Sequence, residues 1–192
     1  YATDPIVLDV VPRTGPSSGE TMIHISGLGF RLTDTLRCRF EMSSLVFTTI
    51  AEYLSDTLVR CVTPNTNGQT GSSVVSVSLN GKDYTPEIAN FKFMDYSVGN
   101  LVSVIPSFGT GGTNVMLYVS AFERFYGHAS WCRFGEHDST AATWLTETLL
   151  RCIAPPKSSS SSDNGVVDIA LSFNGVDFAM INATYEYVPN AI

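Results

Sequence analysis

Apolar and polar residues alternate along most of this chain in short runs, and Gly, Pro, Asn and Ser interrupt them. A period of two is the mark of a strand with one buried face. Ile23-His24-Ile25 shows it in its simplest form. Val75-Ser76-Val77-Ser78-Leu79 leads into Asn80-Gly81 and then Lys82-Asp83-Tyr84-Thr85. This pattern predicts a hairpin, because Asn-Gly readily takes the positive φ angles of a type I′ turn. Ile169 to Ala179 repeats the arrangement around Asn174-Gly175. The Asn-Gly pairs at Asn67 and Asn164 lack such flanks and predict loops. The chain is expected to be all-β.

Laid over itself at an offset of 94, the sequence matches along most of its length. Val7 to Pro12 falls on Leu101 to Pro106, Gly15 on Gly109, and Cys38-Arg39-Phe40 on Cys132-Arg133-Phe134. The second copy then loses three residues, so that Thr57 to Cys61 meets Thr148 to Cys152, and regains three in the Ser158 to Ser162 run. Phe91 and Phe93 meet Tyr185 and Tyr187. Length changes in connections, with flanking segments in register, are what a packed scaffold with tolerant surface loops produces. The repeat predicts two domains, 1–96 and 97–192. The short connector after Phe93 predicts limited swing between them.

Composition narrows the function classes. Hydrophobic residues make up 44% of the chain and charged residues only 15%. Each copy has enough apolar material for a core, at a size where one core is marginal without added support. The copies carry net charges of −3 and −4, which account for the chain's −7. No cluster of Lys or Arg interleaved with aromatics is present, so no nucleic-acid partner is expected. Nor is a catalytic site or cofactor expected, because a specialised constellation would break the repeat at one place. His137-Asp138-Ser139 holds triad residue types, but three neighbours in one loop cannot take the triad's geometry. Asp163 and Asp168 fall short of the oxygens calcium needs, and no metal is expected. No apolar run is long enough to span a bilayer and Tyr1 does not open a secretory signal. The chain reads as a processed or excised piece, with any membrane contact made by other parts of its parent.

The four cysteines occupy equivalent positions. Of the three connectivities, only Cys38 to Cys61 with Cys132 to Cys152 makes each copy self-sufficient. Each bridge would contribute about 3 kcal/mol in the chain-entropy model and would place maturation in an oxidising compartment. Reduced core thiols and a zinc site are the alternatives. Asn182-Ala183-Thr184 is the one Asn-x-Ser/Thr sequon and a candidate glycan site. Trp131 is expected in the core near the disulfide. Trp144 lacks a tryptophan at the matching position and is a candidate contact residue. With the serine run, Asn182 and the Val119 to Phe125 segment, it makes up what the copies do not share.

Both copies resemble IPT/TIG domains, the immunoglobulin-like modules of plexins, related receptors and several transcription factors. In the first copy the resemblance rests on Val11-Pro12, Gly15-Pro16, Gly19 to Phe30 with its Gly27-Leu28-Gly29-Phe30 turn, Cys38-Arg39-Phe40, Thr57 to Pro64 and Val77 to Gly81. In the second it rests on Pro106, Gly111-Gly112-Thr113, Cys132 to Gly135, Leu150 to Pro155 and Ser172 to Gly175. Glu20 stands where the family has a second glycine, Glu41 stands where Gly135 keeps one, and Val119 to Phe125 departs from the Gly-x-Gly-Phe turn. The resemblance implies two tandem immunoglobulin-like β-sandwiches. It also implies a non-catalytic stalk or adhesion segment of a larger cell-surface or secreted protein, within a longer array and with a protein or surface ligand as partner. Self-association is compatible with such a module. An accessory, glycan-binding module of a secreted carbohydrate-active enzyme is the alternative, and a nuclear dimerisation or DNA-contact module a third.

Overall fold

The computed structural model describes residues 4–86, 89–96, 100–120, 125, 127–136, 138–157 and 165–189. The chain divides into two units, Tyr1–Asp95 and Tyr96–Ile192. Unit 1 contains β1 (Ile6–Val11), β2 (Thr14–Pro16), β3 (Met22–Leu28), β4 (Arg37–Met42), β5 (Leu45–Ser55), β6 (Leu58–Val62), β7 (Gly71–Ser78) and β8 (Ala89–Met94). Their hydrogen-bonded order is β1-β3-β6-β5-β4-β7-β8-β2. Unit 2 contains β9 (Asn100–Ile105), β10 (Phe108–Gly109), β11 (Asn114–Ser120), β12 (Ser130–Phe134), β13 (Thr140–Thr146), β14 (Leu149–Ile153), β15 (Val166–Ser172) and β16 (Phe178–Tyr187). Its order, β9-β11-β14-β13-β12-β15-β16-β10, is that of unit 1 strand for strand.

Each ribbon of strands becomes a two-layered sandwich because one strand serves both layers. Residues 45–50 of β5 pair with β4, whereas residues 51–55 pair with β6. In unit 2, β13 hands over in the same way, from β12 to β14. The alternation seen in the sequence then aims every second side chain inward. Val7, Val10, Ile23, Ile25 and Val59 from one layer meet Phe40, Val75, Val77, Phe91 and Phe93 from the other, all essentially inaccessible. Three of these rings pack edge to face, with centroids 6.3 Å (Phe40–Phe91), 6.0 Å (Phe40–Phe93) and 4.9 Å (Phe91–Phe93) apart, the arrangement favoured by the ring quadrupole. Unit 2 keeps the cluster as Phe134, Tyr185 and Tyr187, where Phe134–Tyr185 lie 5.2 Å apart and Tyr185–Tyr187 5.1 Å. Its two added hydroxyls are satisfied by backbone carbonyls: Tyr185 donates to Thr110 and Tyr187 to Pro155.

One bridge crosses between layers in each unit. Cys38 on β4 joins Cys61 on β6 with Cα atoms 6.5 Å apart, and Cys132 on β12 joins Cys152 on β14 at 6.0 Å. No free cysteine remains. The peptide bonds Val11-Pro12 and Ile105-Pro106 are both cis, a further repeated detail.

The turns differ from expectation. At Asn80-Gly81 and Asn174-Gly175 only the glycines lie in the left-handed region, with φ of 72° and 78°, so neither turn is type I′. The asparagine side chains organise the loops instead. Asn80 Oδ1 accepts from the amides of Lys82 and Asp83, and its Nδ2 donates to Asp83 at 2.7 Å. Asn174 does the same with Val176 and Asp177. A side-chain acceptor of this kind competes with the backbone turn. The loop after β15 is accordingly wider, Ser172 pairing with Phe178. Asn67-Gly68, expected to be a plain loop, has the paired positive φ values, 54° and 79°, and closes Gln69 N–H onto the Thr66 carbonyl. Asn164 lies outside the described residues.

Glu20 explains one departure from the family pattern. Its φ is +66°, a conformation that costs a residue with a Cβ about 1–2 kcal/mol. Its amide donates to the Thr63 carbonyl at 3.0 Å, and at the equivalent place in unit 2 Gly112, with φ +87°, donates to Ala154 at 2.8 Å. Glu20→Gly is expected to stabilise unit 1 by about 0.5–1 kcal/mol, the strain relieved less the added freedom of the unfolded chain. The measurement is a later urea midpoint at unchanged slope.

Candidate functional site

The residues shared by both units can be followed to their structural tasks. Arg39 lies over the Tyr84 ring at 4.3 Å and its Nε donates to Ser76. Arg133 lies over Phe178 at 4.4 Å. Each arginine clamps the aromatic residue of the neighbouring Asn-Gly loop through a cation–π contact. Gly15 and Gly109 admit close neighbours: a Cβ on Gly15 would meet Thr21 Oγ1 and come 2.8 Å from Phe91, and one on Gly109 would lie 2.5 Å from the Tyr185 hydroxyl.

The unshared residues sort differently. Ser158 to Ser162, Asp163 and His137 lie outside the described residues, as do 121–124 of the altered turn. Phe125 is fully buried and stacks on Phe173 at 3.7 Å, with Tyr96 edge-on to both rings. Trp144 is half-buried, and its indole N–H donates to Ser130 Oγ at 3.0 Å. It pairs across the ladder with Leu150 as Tyr53 pairs with Val59, and Tyr53 packs on the unit 1 core. The position is therefore aromatic in both copies, a correspondence visible once the three-residue loss is applied. Trp131 is not beside the disulfide. On β12 it alternates with Cys132 and turns to the opposite face, toward the loop glycine Gly175, on which a Cβ would lie 3.5 Å from the indole ring.

Asn182 is exposed on β16 at a bulge, where Ile169 pairs with Ala183 but Ala170 with Met180. Its φ is +53°, which asparagine tolerates better than most residues. Thr184 is exposed two residues on, so both polar members of the sequon face outward while Ala183 is buried. Asp168 is exposed, and among the described residues no group of three His, Cys, Asp or Glu side chains gathers to hold a metal ion.

The outer face of the β1-β3-β6-β5 layer and its counterpart in unit 2 remain. Strand register aligns the rows. In unit 1, Val11 lies opposite His24, His24 opposite Arg60 and Arg60 opposite Glu52. Arg60 Nε and its neighbouring nitrogen reach Glu52 at 2.9 and 2.5 Å. In unit 2 the same row reads Ile105, Met116, Arg151, Thr143. The next row changes from Asp9, Ser26, Leu58 to Ser103, Tyr118, Leu149. Sequence overlay at 94 concealed these pairings, because Met116 follows His24 by 92 positions within β11.

Among known proteins, the IPT/TIG domain model matches residues 5–93. A search of curated protein sequences returns no match. Two structures of the plexin A4 extracellular region align over 97% and 96% of this chain, at 15% and 18% identity and TM-scores of 0.60 and 0.51. The chain spans only 16% and 18% of their length. Tp47, the 47-kilodalton lipoprotein of Treponema pallidum, aligns over 98% of this chain and 51% of its own, at 11% identity and a TM-score of 0.52. At such identities these likenesses concern the fold. Unit 1 thus matches the IPT/TIG domain over nearly its whole length, and unit 2 repeats its strand order, disulfide and aromatic core.

Proposed function

We propose that this chain is a non-catalytic binding or scaffolding segment, a stalk or adhesion piece of a larger cell-surface or secreted protein. The observation that carries this reading is that both cysteine pairs are bridged across the two layers. Structural disulfides persist in oxidising compartments and are rare in the cytosol and nucleus, which weighs against a nuclear role. The shared arginines and glycines are occupied with folding, which leaves outer faces rather than a cleft for function. Partners are then proteins or surface ligands met outside the cell, and Asn182 carries an N-linked glycan on the outer face of β16.

The test uses the full-length parent protein on intact cells. A membrane-impermeant amine reagent is expected to label the exposed Lys82, Lys92 and Lys157 without permeabilisation, with all four cysteines recovered as disulfides. Glycosidase treatment is expected to lower the mass of the peptide bearing Asn182, and Thr184→Ala to abolish that difference. Labelling only after permeabilisation would overturn the extracellular reading, and an unchanged mass would overturn the glycan.

A further inference from the structure

We infer that the outer face of the β9-β11-β14-β13 layer of unit 2 is a docking surface for a protein partner that presents a carboxylate among apolar side chains. The inference deepens the proposed function and rests on that reading. Unit 1 serves as an internal control, since the same module with the same strand order holds a different set of residues at equivalent outward positions.

Two differences point the same way. First, the unit 1 face neutralises its own charges: Arg60 is paired with Glu52, and Asp9 with Arg13 at 2.9 Å. In unit 2 the arginine remains as Arg151, but the place of Glu52 is taken by Thr143 and that of Asp9 by Ser103. Among the described residues Arg151 forms no ion pair. Second, the surroundings of that arginine become apolar. His24 gives way to Met116 and Ser26 to Tyr118, while Ile105 keeps the apolar place of Val11. Arg151, like Arg60, is only partly exposed, so part of its hydration is already lost before any partner arrives. A cation seated among Ile105, Met116, Tyr118 and Leu149 gains more from an incoming carboxylate than an arginine in open water does, because the lower local dielectric strengthens the pair.

The partner's class follows from this chemistry. A protein interface typically has an apolar centre and anchors on aromatic residues, Met and Arg, and this face supplies Tyr118, Met116 and Arg151. A nucleic acid or other polyanion would need many cations, whereas this face offers one on a unit of net charge −4. The occupant is a protein segment with an Asp or Glu flanked by aliphatic or aromatic residues, its carboxylate taking the place that Glu52 holds in unit 1.

The test pans a phage-displayed random peptide library against the intact two-unit chain and measures each enriched peptide by calorimetry against variants. Peptides with a carboxylate between apolar residues are expected, and Arg151→Glu is expected to weaken them at least tenfold. Thr143→Glu restores the unit 1 arrangement while leaving Arg151 in place and is expected to weaken them comparably. Arg60→Glu, in unit 1, is expected to leave affinity within twofold. A chain that fails the cell-surface test can still pass this one, so the two readings fail separately. Lack of enrichment, enriched peptides without carboxylates, equal binding to Thr143→Glu, or self-association of the chain through Met116 and Tyr118 would each overturn the inference.

Discussion

Replacing Cys132 and Cys152 together by alanine is expected to lower the stability of unit 2 by about 3 kcal/mol, within the range of 2–5 known for small disulfide-bonded domains. The bridge closes a loop with a sequence separation of 20, so its removal enlarges the unfolded ensemble. It also leaves space in the core, because both sulfur positions are fully buried. A domain of about a hundred residues has a net stability of only about 5–15 kcal/mol, so this loss is a large fraction. In calorimetry the transition assigned to unit 2 should fall by roughly 10–20 °C. The double substitution also avoids the single buried thiol that one replacement would leave. A midpoint within about 2 °C of the parent chain would show that packing across the layers suffices without the bridge.

Gly27→Ala is expected to cost unit 1 about 3 kcal/mol, toward the upper end for overpacking a core. A Cβ there would collide with the Ile6 carbonyl oxygen and come 2.5 Å from Phe30 Cζ. Neither neighbour moves freely. Ile6 is held in the β1–β3 ladder opposite Leu28, and Phe30 is buried with its amide bonded to the Asp56 carbonyl. The ladder itself does not demand glycine, since Val119 takes the same register opposite Leu101 in unit 2 and is buried there. What unit 1 adds is the close approach of the Ile6 carbonyl and the Phe30 ring, and this gives the first glycine of the Gly-x-Gly-Phe turn its physical reason. Urea unfolding measures the effect. A change below about 1 kcal/mol would mean that β1 yields more easily than a paired strand should.

Much of the fold was legible before any coordinates, for reasons that are local along the chain. A period of two identifies a half-buried strand wherever it occurs, and a second copy doubles every such signal. Cys38, Cys61, Cys132 and Cys152 could be paired on paper because the repeat made one connectivity self-sufficient. The loop asparagines were found but their geometry was not. Both Asn80 and Asn174 use their side chains to accept backbone amides, a competition that composition alone does not resolve. Trp131 lies away from the disulfide because adjacency to Cys132 in sequence means opposite faces in a strand.

What the sequence by itself determined about this protein is its fold class, its two-fold repetition and the residues that each copy needs in its core. Only the tertiary structure decided which outward residues stand side by side. Ile105, Met116, Arg151 and Thr143 come from four strands, and their row exists only through the pairing registers. Register is set by hydrogen bonds between segments far apart in the chain, and one residue of slip exchanges the two faces of a strand. The shift from 94 to 92 within β11 hid that row from the overlay. The core tolerates the shift because the changes in length fall between strands, before β11 and before β12, and leave the packed strands themselves intact.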